Sequence, residues 1–477
     1  MSMQAPQAAA NSATAVHAAY AQARAAFGRH RFPAIEERHA DLDKLAQLLR
    51  DNAVGLQQAI STDFGNRSIH ETQLLELFPA LAAIRDARRH LRKWMRPRRS
   101  WASLWFLPAR RELRPQPLGV AGIIVPWNYP LLLAIAPLVG ALAAGNRVLI
   151  KMSEFTPHTG ELLARLIAAA FPVDQITVIN GDADTAREFS ALPFDHLLFT
   201  GSTSVGRQVM AAAARNLTPV TLELGGKSPA IIGPEADLAA AADKILFGKC
   251  LNAGQTCIAP DYVLLPRGQE VAFIEAAKRS VARLYPDLAH NADYTSIVND
   301  RHFERLHDYL ADADAHGATV TPLAADAGQR SGTRKIAPTI VHGVDKTMLL
   351  MQEEIFGPIL PLLPYDALGD AIAYVNDHPR PLALYYFGDD LGHIGRVLDE
   401  TVAGGVTVNE TLLHISQDDL PFGGVGPSGM GAYHGKYGFD TFSKQKPVFY
   451  QSKLNGLNLL KPPYGERFNA MIKWLLK

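Results

Sequence analysis

Apolar residues recur at helical spacing over residues 15–95. Val16 to Phe27, Ala40 to Leu49 and Glu71 to Trp94 each read as an amphipathic helix with basic residues on the wet face. Between Met95 and Pro117 the pattern breaks into short Trp/Phe/Leu runs interrupted by prolines and arginines, which predicts an extended excursion outside the core. From Gly119 the period changes. Short runs with apolar centres at 120–125, 147–151, 176–179 and 196–200 predict buried strands, separated by helices at 131–144, 159–170 and 204–215. A second series starts at Pro219. It has a strand from Thr221 running into Gly225-Gly226, a helix at 238–248, a strand at 262–265 and helices at 271–284 and 301–316. A short strand at 319–320, mixed loop and strand at 348–363 and a helix at 370–377 complete it. Short apolar strands between helices of 10–15 residues predict βαβ units and parallel sheets covered on both faces. The expected class is α/β, with two such units.

Gly119 to Asn146 carries no charge and resembles a membrane span by composition. Pro126, Pro130 and Pro137 interrupt it, however, and the continuous part after Pro130 is about 15 residues where about 20 are needed. It reads as core. The whole chain has 477 residues, 48% apolar, with 47 basic against 47 acidic side chains. That balance excludes a disordered chain and a protein that coats nucleic acid. Cys250 and Cys257 are the only cysteines, so a secreted disulfide framework is excluded and a reducing cytoplasm is the expected location. Met1 to Ala15 has neither the basic nor the apolar region of a signal peptide.

Several familiar templates fail. There is no His-Glu-x-x-His and no Cys-x-x-Cys, so no metal site is expected. The Gly-x-Ser-x-Gly elbow and the Gly-x-Gly-x-x-Gly fingerprint are absent, and the P-loop-like Gly225-Gly-Lys-Ser228 has Thr221 at its required first glycine. Four places remain. Gly201-Ser202 after the strand at 196–200 opens a helix, and such a turn either binds a pyrophosphate or is an ordinary serine cap. Cys257 lies on the polar turn Asn252-Ala-Gly-Gln-Thr-Cys, where a thiolate nucleophile is better placed than in an apolar run such as that around Cys250; a bland buried thiol is the alternative. Glu223 is flanked by leucines, which suits a desolvated general base or a strand carboxylate paired with Lys227. Asn128, between Trp127 and Tyr129, is either a turn residue or an amide donor at a strand's carboxyl end.

Six motifs stand in order: Pro126-Trp-Asn-Tyr-Pro130, Phe199-Thr-Gly-Ser-Thr203, Leu222-Glu-Leu-Gly-Gly-Lys227, Gly254-Gln-Thr-Cys257, Glu354-Ile-Phe-Gly-Pro358 and Pro421-Phe-Gly-Gly-Val-Gly426. Together they resemble the NAD(P)-dependent aldehyde dehydrogenase superfamily over residues 15–450. The short N-terminus, Gln255-Thr-Cys-Ile-Ala-Pro-Asp261 and Ser428-Gly-Met-Gly-Ala-Tyr-His-Gly-Lys436 resemble its class 3 branch. Leu107-Pro-Ala-Arg110 and Leu118 to Pro130 are most similar to the bacterial coniferyl aldehyde dehydrogenases. Two departures are Lys151-Met-Ser-Glu154, where the motif usually reads Lys-Pro-Ser-Glu, and Asn252-Ala-Gly-Gln255, where class 3 has Asn-Cys-Gly-Gln. Neither removes a reacting group.

The resemblance implies that Cys257 attacks an aldehyde, that Asn128 and the Cys257 N–H hold the oxyanion, and that Glu223 activates the hydrolytic water. It assigns Lys151 and Glu154 to the adenosine ribose, Gly201 and Ser202 to the pyrophosphate, and Glu354 with Phe356 to the nicotinamide riboside; Trp127 joins this cofactor set. The cofactor is expected to be NAD, with NADP possible, and no nucleic-acid or membrane partner is implied. The expected fold has two Rossmann-like parallel-sheet domains and a small oligomerisation bridge. Residues 1–14 would be a disordered tail, 15–98 and 118–225 the cofactor domain, and 226–424 the catalytic domain. Segments 99–117 and 440–477 would bridge a homodimer, with the apolar tail from Leu457 packing on a partner or on its own body. The implied reaction is coniferaldehyde to ferulate. The alternatives are a long-chain or broad aliphatic aldehyde dehydrogenase, a coenzyme-A-acylating relative, against which Glu223 argues, and a non-catalytic crystallin-type relative, against which the intact Cys257, Glu223 and Asn128 argue.

Overall fold

The computed structural model describes residues 5–324 and 332–477. A hairpin of β1 (Arg98–Trp101) and β2 (Arg110–Pro117) precedes the strands β3 (Val120–Ile124), β4 (Arg147–Lys151), β5 (Ile176–Ile179), β6 (His196–Thr200) and β7 (Val220–Glu223). A second run comprises β8 (Pro229–Ile232), β9 (Tyr262–Pro266), β10 (Thr319–Pro322), β11 (Thr339–His342), β12 (Ile359–Tyr365), β13 (Ala383–Phe387) and β14 (Gly405–Val408). Two strands return late, β15 (Gly429–Met430) and β16 (Ser443–Tyr450).

These strands form three sheets. One has the order β15-β7-β6-β3-β4-β5 and is parallel except for β15. Another has the order β10-β11-β12-β9-β8-β13-β14 and is parallel except for β10. The third is antiparallel, β1-β2-β16, with Ser443 opposite Pro117 and Tyr450 opposite Arg110. The extended excursion is therefore a hairpin edged by the returning chain. The uncharged helix Leu132–Ala144 is enclosed almost all round, which is why it carries no charge. Among the described residues no helix is long and apolar enough to cross a membrane.

Three differences from the expectation have physical reasons. Strands β8, β11, β13 and β14 were not expected, because runs of four or five apolar residues carry no period that separates a buried strand from a buried helix. Of the expected disordered tail 1–14, residues 1–4 lie outside the described residues; the first helix runs Ala5–Arg29, consistent with the high helix propensity of its alanines. The expected helix from Glu71 to Trp94 is three pieces, Ile69–Thr72, a π-helical turn Gln73–Leu77, and Phe78–Met95 with Pro79 at its start. The C-terminal helix Glu466–Leu475 contains no buried residue, and Leu454 and Leu476 are 80% and 82% exposed.

Candidate active site

The parallel strands bring most candidates to one edge. The turn after β3 carries Trp127 and Asn128, β4 ends at Lys151 with Glu154 beyond it, β6 leads into Gly201-Ser202, and β7 ends at Glu223. All lie at the carboxyl ends of neighbouring strands, where α/β sheets bind ligands. The second sheet contributes Cys257 from the loop before β9, and Glu354 and Phe356 from the segment before β12.

The nucleophile loop is backbone under strain. Asn252, Ala253 and Gly254 have φ of 51°, 51° and 76°, three successive left-handed residues, two of which are not glycine. Gly254 is required twice over, since a Cβ there would overlap the Gly357 carbonyl. Gln255 pins the turn. Its Nε2 donates to the Asn252 and Ser296 carbonyls at 2.9 and 3.1 Å, and its Oε1 accepts from the Val298 N–H at 2.9 Å. Beside it, the Tyr129 hydroxyl and Thr256 Oγ1 are 2.6 Å apart. The result is a thiol with access. Cys257 is half-buried while Cys250 is sealed in the core. Burial pushes the Cys257 thiol up to about 12, and the carboxylates of Glu354 and Glu223 push in the same direction. Cys250 is held as high by burial alone among the larger causes, so access rather than acidity separates the two.

Asn128 is 3% exposed, and its Nδ2 donates to the Gln255 carbonyl at 3.1 Å. An amide nitrogen has two N–H donors, so one is left over. Glu223 is 2% exposed and neither carboxyl oxygen has a hydrogen-bond partner among the described residues; burial raises its pKa well above the ordinary carboxyl value. The alternative pairing with Lys227 is absent. Lys227 Nζ instead pairs with Asp261 and donates to the Leu350 and Glu353 carbonyls at 2.7 and 3.0 Å, because the Gly225-Gly226 turn carries it over to the second sheet. Glu354 lies so close to Gly225 that any side chain there would overlap its carboxyl group. Burial, then the neighbouring Asp261, lifts Glu354 to about 8. Phe356, at φ 50°, stands edge-on to Trp127 at 5.3 Å.

The cofactor candidates are spread along the sheet edge. Ser202 caps the helix Thr203–Ala214, its Oγ accepting the Val205 N–H, so the remaining first-turn N–H groups face outward as an anion cradle. Gly201 donates its N–H to the Glu223 carbonyl at 3.0 Å, tying this turn to the base. Glu154 is exposed at the end of β4. Lys151 is 1% exposed and spends two of its N–H groups on the Met152 and Gly181 carbonyls, both at 2.7 Å; burial lowers its pKa. One N–H remains for a ribose hydroxyl. An anion cradle and a carboxylate at nearby strand ends, with Phe356 and Trp127 beyond, fit a nicotinamide dinucleotide. No group of three or more His, Cys, Asp or Glu side chains suited to a metal occurs among the described residues.

Residue-by-residue reading missed part of the site. Gly429 pairs opposite Glu223, and that short strand delivers buried Tyr433, whose ionisation is opposed by burial and then by Glu223 and Cys257. The Tyr385 hydroxyl donates to the carbonyl of Ile258, next to the nucleophile. His414 lies 6.3 Å from the Tyr385 ring and 6.1 Å from that of Phe422, and burial holds it neutral with a pKa of about 4. Phe422 and Tyr433 lie in the quoted motifs at 421–426 and 428–436, but those motifs do not announce these contacts, which depend on distant strands meeting.

The chain matches the Aldehyde dehydrogenase family over residues 3–448. It is 53% identical over 457 residues to the probable coniferyl aldehyde dehydrogenase of Pseudomonas aeruginosa, covering 96% of this chain and 95% of that protein. Its fold is similar to a substrate-bound Staphylococcus aureus AldH, with TM-score 0.92 and 38% identity over 97% of this chain and 99% of that one. It is also similar to a Mycobacterium tuberculosis aldehyde dehydrogenase complexed with NAD+, with TM-score 0.84 and 30% identity over 93% and 91% of the two chains. The chain belongs to the aldehyde dehydrogenase family. It is an NAD(P)-dependent enzyme that oxidises aldehydes.

Proposed function

We propose that this enzyme oxidises a conjugated aromatic aldehyde, coniferaldehyde first, to its acid with NAD. The observation that carries the chemistry is the meeting of one reachable thiol, Cys257, with a buried carboxyl group, Glu223, that has no partner. Cys257 attacks the carbonyl carbon, and the oxyanion is held by the spare N–H of Asn128 Nδ2 and the Cys257 backbone N–H, an effect worth about 3 kcal/mol per donor. A nicotinamide dinucleotide held by the cofactor residues would supply the hydride acceptor that turns the thiohemiacetal into a thioester. In its ionised form, which burial makes a strong base, Glu223 takes a proton from water; the resulting hydroxide adds to the thioester, and the proton passes back to the departing thiolate, freeing the carboxylic acid and the thiol. Glu154 and Lys151 hold the adenosine ribose, the Gly201-Ser202 turn holds the pyrophosphate, and Glu354, Phe356 and Trp127 orient the nicotinamide end.

The aromatic preference draws on the Pseudomonas aeruginosa relative's name and on the rings of Tyr385, Phe422 and Tyr433 around the nucleophile. Stacking on such rings adds about 0.5–1.5 kcal/mol, roughly a two- to twelvefold preference. The test is kcat/KM for coniferaldehyde, benzaldehyde, hexanal and decanal, read as NADH formed with and without coenzyme A. Decanal ahead by about tenfold would make this a fatty-aldehyde dehydrogenase. We further assign residues 15–98 and 118–225 to the cofactor domain, 226–424 to the catalytic domain, and the β1-β2-β16 sheet with the tail to a bridge in a cytoplasmic homodimer. Exposed Trp101, Leu104 and Leu476 supply the apolar surface for that bridge, and light scattering on the purified chain checks it.

A further inference from the structure

Arg67 is 1% exposed, among the largest fully enclosed side chains of the described residues, and its guanidinium group meets the turn that carries Asn128. Nη1 lies 2.8 Å from Glu76 Oε1 and donates to the Asn128 carbonyl at 2.9 Å. The guanidinium carbon sits 4.8 Å from the centre of the Tyr129 ring and 5.1 Å from that of Phe64. Nε and Nη2 make no hydrogen bond among the described residues; ring faces occupy their place. Glu76 completes the grip. Its other oxygen, Oε2, accepts the N–H groups of Leu131 and Leu132 at 2.7 and 3.0 Å, at the start of the helix that follows the turn. The π-helical turn Gln73–Leu77 carries Glu76 in this position.

The pair therefore holds both ends of the segment from Asn128 to Leu132, while Tyr129 is tied through Thr256 to the nucleophile loop. Asn252 reaches the same Asn128 carbonyl with its Nδ2 at 3.1 Å, and its own N–H is held by Glu71 at 2.9 Å. A fully buried ion pair is a poor source of stability, since apolar residues of like volume serve as well. Its placement answers a different need: fixing the Asn128 peptide plane fixes the direction of the spare side-chain N–H. We propose that the Arg67–Glu76 pair is a positioning device for the oxyanion amide of Asn128. This rests on the reading of Asn128 as an oxyanion donor.

The test is the pre-steady-state burst of NADH with coniferaldehyde. Removing both charges in Arg67→Met/Glu76→Leu leaves neither member of the pair without its partner, and Glu71 keeps its hydrogen bonds from the Asn252 N–H and Thr295, so the variant is expected to fold. Its burst amplitude should stay near one per active site while the burst rate constant falls tenfold to a hundredfold, the scale of an ångström of misplacement. The KM for NAD should not move, and Arg67→Lys should restore part of the rate. A merely structural role would lower the amplitude and leave the rate constant alone. Asn128→Ala should slow the burst by a hundredfold or more. The triple variant should be no slower than Asn128→Ala, because Arg67 acts through Asn128. A wild-type burst rate constant in the double variant, or losses that multiply in the triple, overturns the proposal. If Asn128→Ala itself bursts at the wild-type rate, the oxyanion assignment fails and the proposal falls with it. If the double variant does not fold, Arg67→Lys decides. A burst slowed three- to tenfold at full amplitude supports positioning, and an unchanged one refutes it.

Discussion

Glu223→Gln should stabilise the protein while stopping its turnover, and the stabilisation should grow with pH. Glu223 is buried with both oxygens unpartnered, and burial alone raises its pKa. An unfolded chain titrates this carboxyl near 4.5, whereas the folded chain keeps the proton to far higher pH. The folded state thus binds more protons than the unfolded one between those two values, and stability falls as pH rises through that window. The slope is about 1.4 kcal/mol per pH unit for one group. Glutamine does not titrate. The difference between variant and wild type should therefore widen as pH rises above 5, by at most about 3 kcal/mol at pH 7.

Unfolding entropy of roughly 2 cal/mol/K per residue gives about 1 kcal/mol/K for a chain of this length, so the widening amounts to at most about 3 °C in Tm. A buried amide without partners carries its own cost of about 1–3 kcal/mol, independent of pH, so the slope and not the offset is the diagnostic quantity. Thermal melts of both proteins in matched buffers at pH 5, 6 and 7 measure it. In the same variant the first turnover should release near-stoichiometric NADH, and steady turnover should fall about a hundredfold or more, because the base serves the thioester step. A Tm difference that does not change with pH would show that Glu223 is not held protonated. An abolished burst would move its role to activation of the thiol.

Cys257→Ala should abolish oxidation with NAD binding retained, and Cys250→Ala should keep it; a dead Cys250→Ala enzyme would reverse the assignment. In a Cys250→Ala background, Glu354→Gln should speed iodoacetamide alkylation of Cys257 at pH 8 about two- to tenfold. Burial and then the Glu354 charge hold that thiol un-ionised, so removing the charge lowers its pKa. An unchanged or slower reaction would refute this. Glu154 beside the adenosine ribose should favour NAD, and Glu154→Gln should narrow the gap to NADP; a higher wild-type kcat/KM with NADP would overturn it.

The first parallel sheet was legible because β3, β4 and β6 have apolar centres and are separated by helices of ordinary length. The second sheet was half hidden. Its strands β8 and β13 are interior strands enclosed on both faces, so they show no alternation, and at four and five residues they are too short to stand out. The hairpin 98–117 read as disorder of pattern because its sheet is completed only by residues 443–450, more than 300 positions later. Composition could not show that partner.

At the site, the division follows the same physics. Cys257, Glu223 and Asn128 stand out because each is a polar group where its neighbours are apolar or where the chain turns. Arg67, Glu71 and Glu76 do not. They lie in a stretch whose charged residues look like the wet face of an amphipathic helix, and only the break into a π-helical turn sends the carboxylates inward. A residue type marks chemistry when its local surroundings contradict it, and Arg67 is contradicted only by the tertiary structure. Its burial against Asn128 also accounts for the unusual density of charge behind a neutral pocket. Glu71 is lifted to about 7 by burial while Arg67 pulls it down, so the same guanidinium sits in the field of both acids. One cation serving two carboxylates is an arrangement that single-residue substitution would disturb on every side. The double replacement of Arg67 and Glu76 is therefore the cleaner probe, since it leaves Glu71 held by the Asn252 N–H and Thr295.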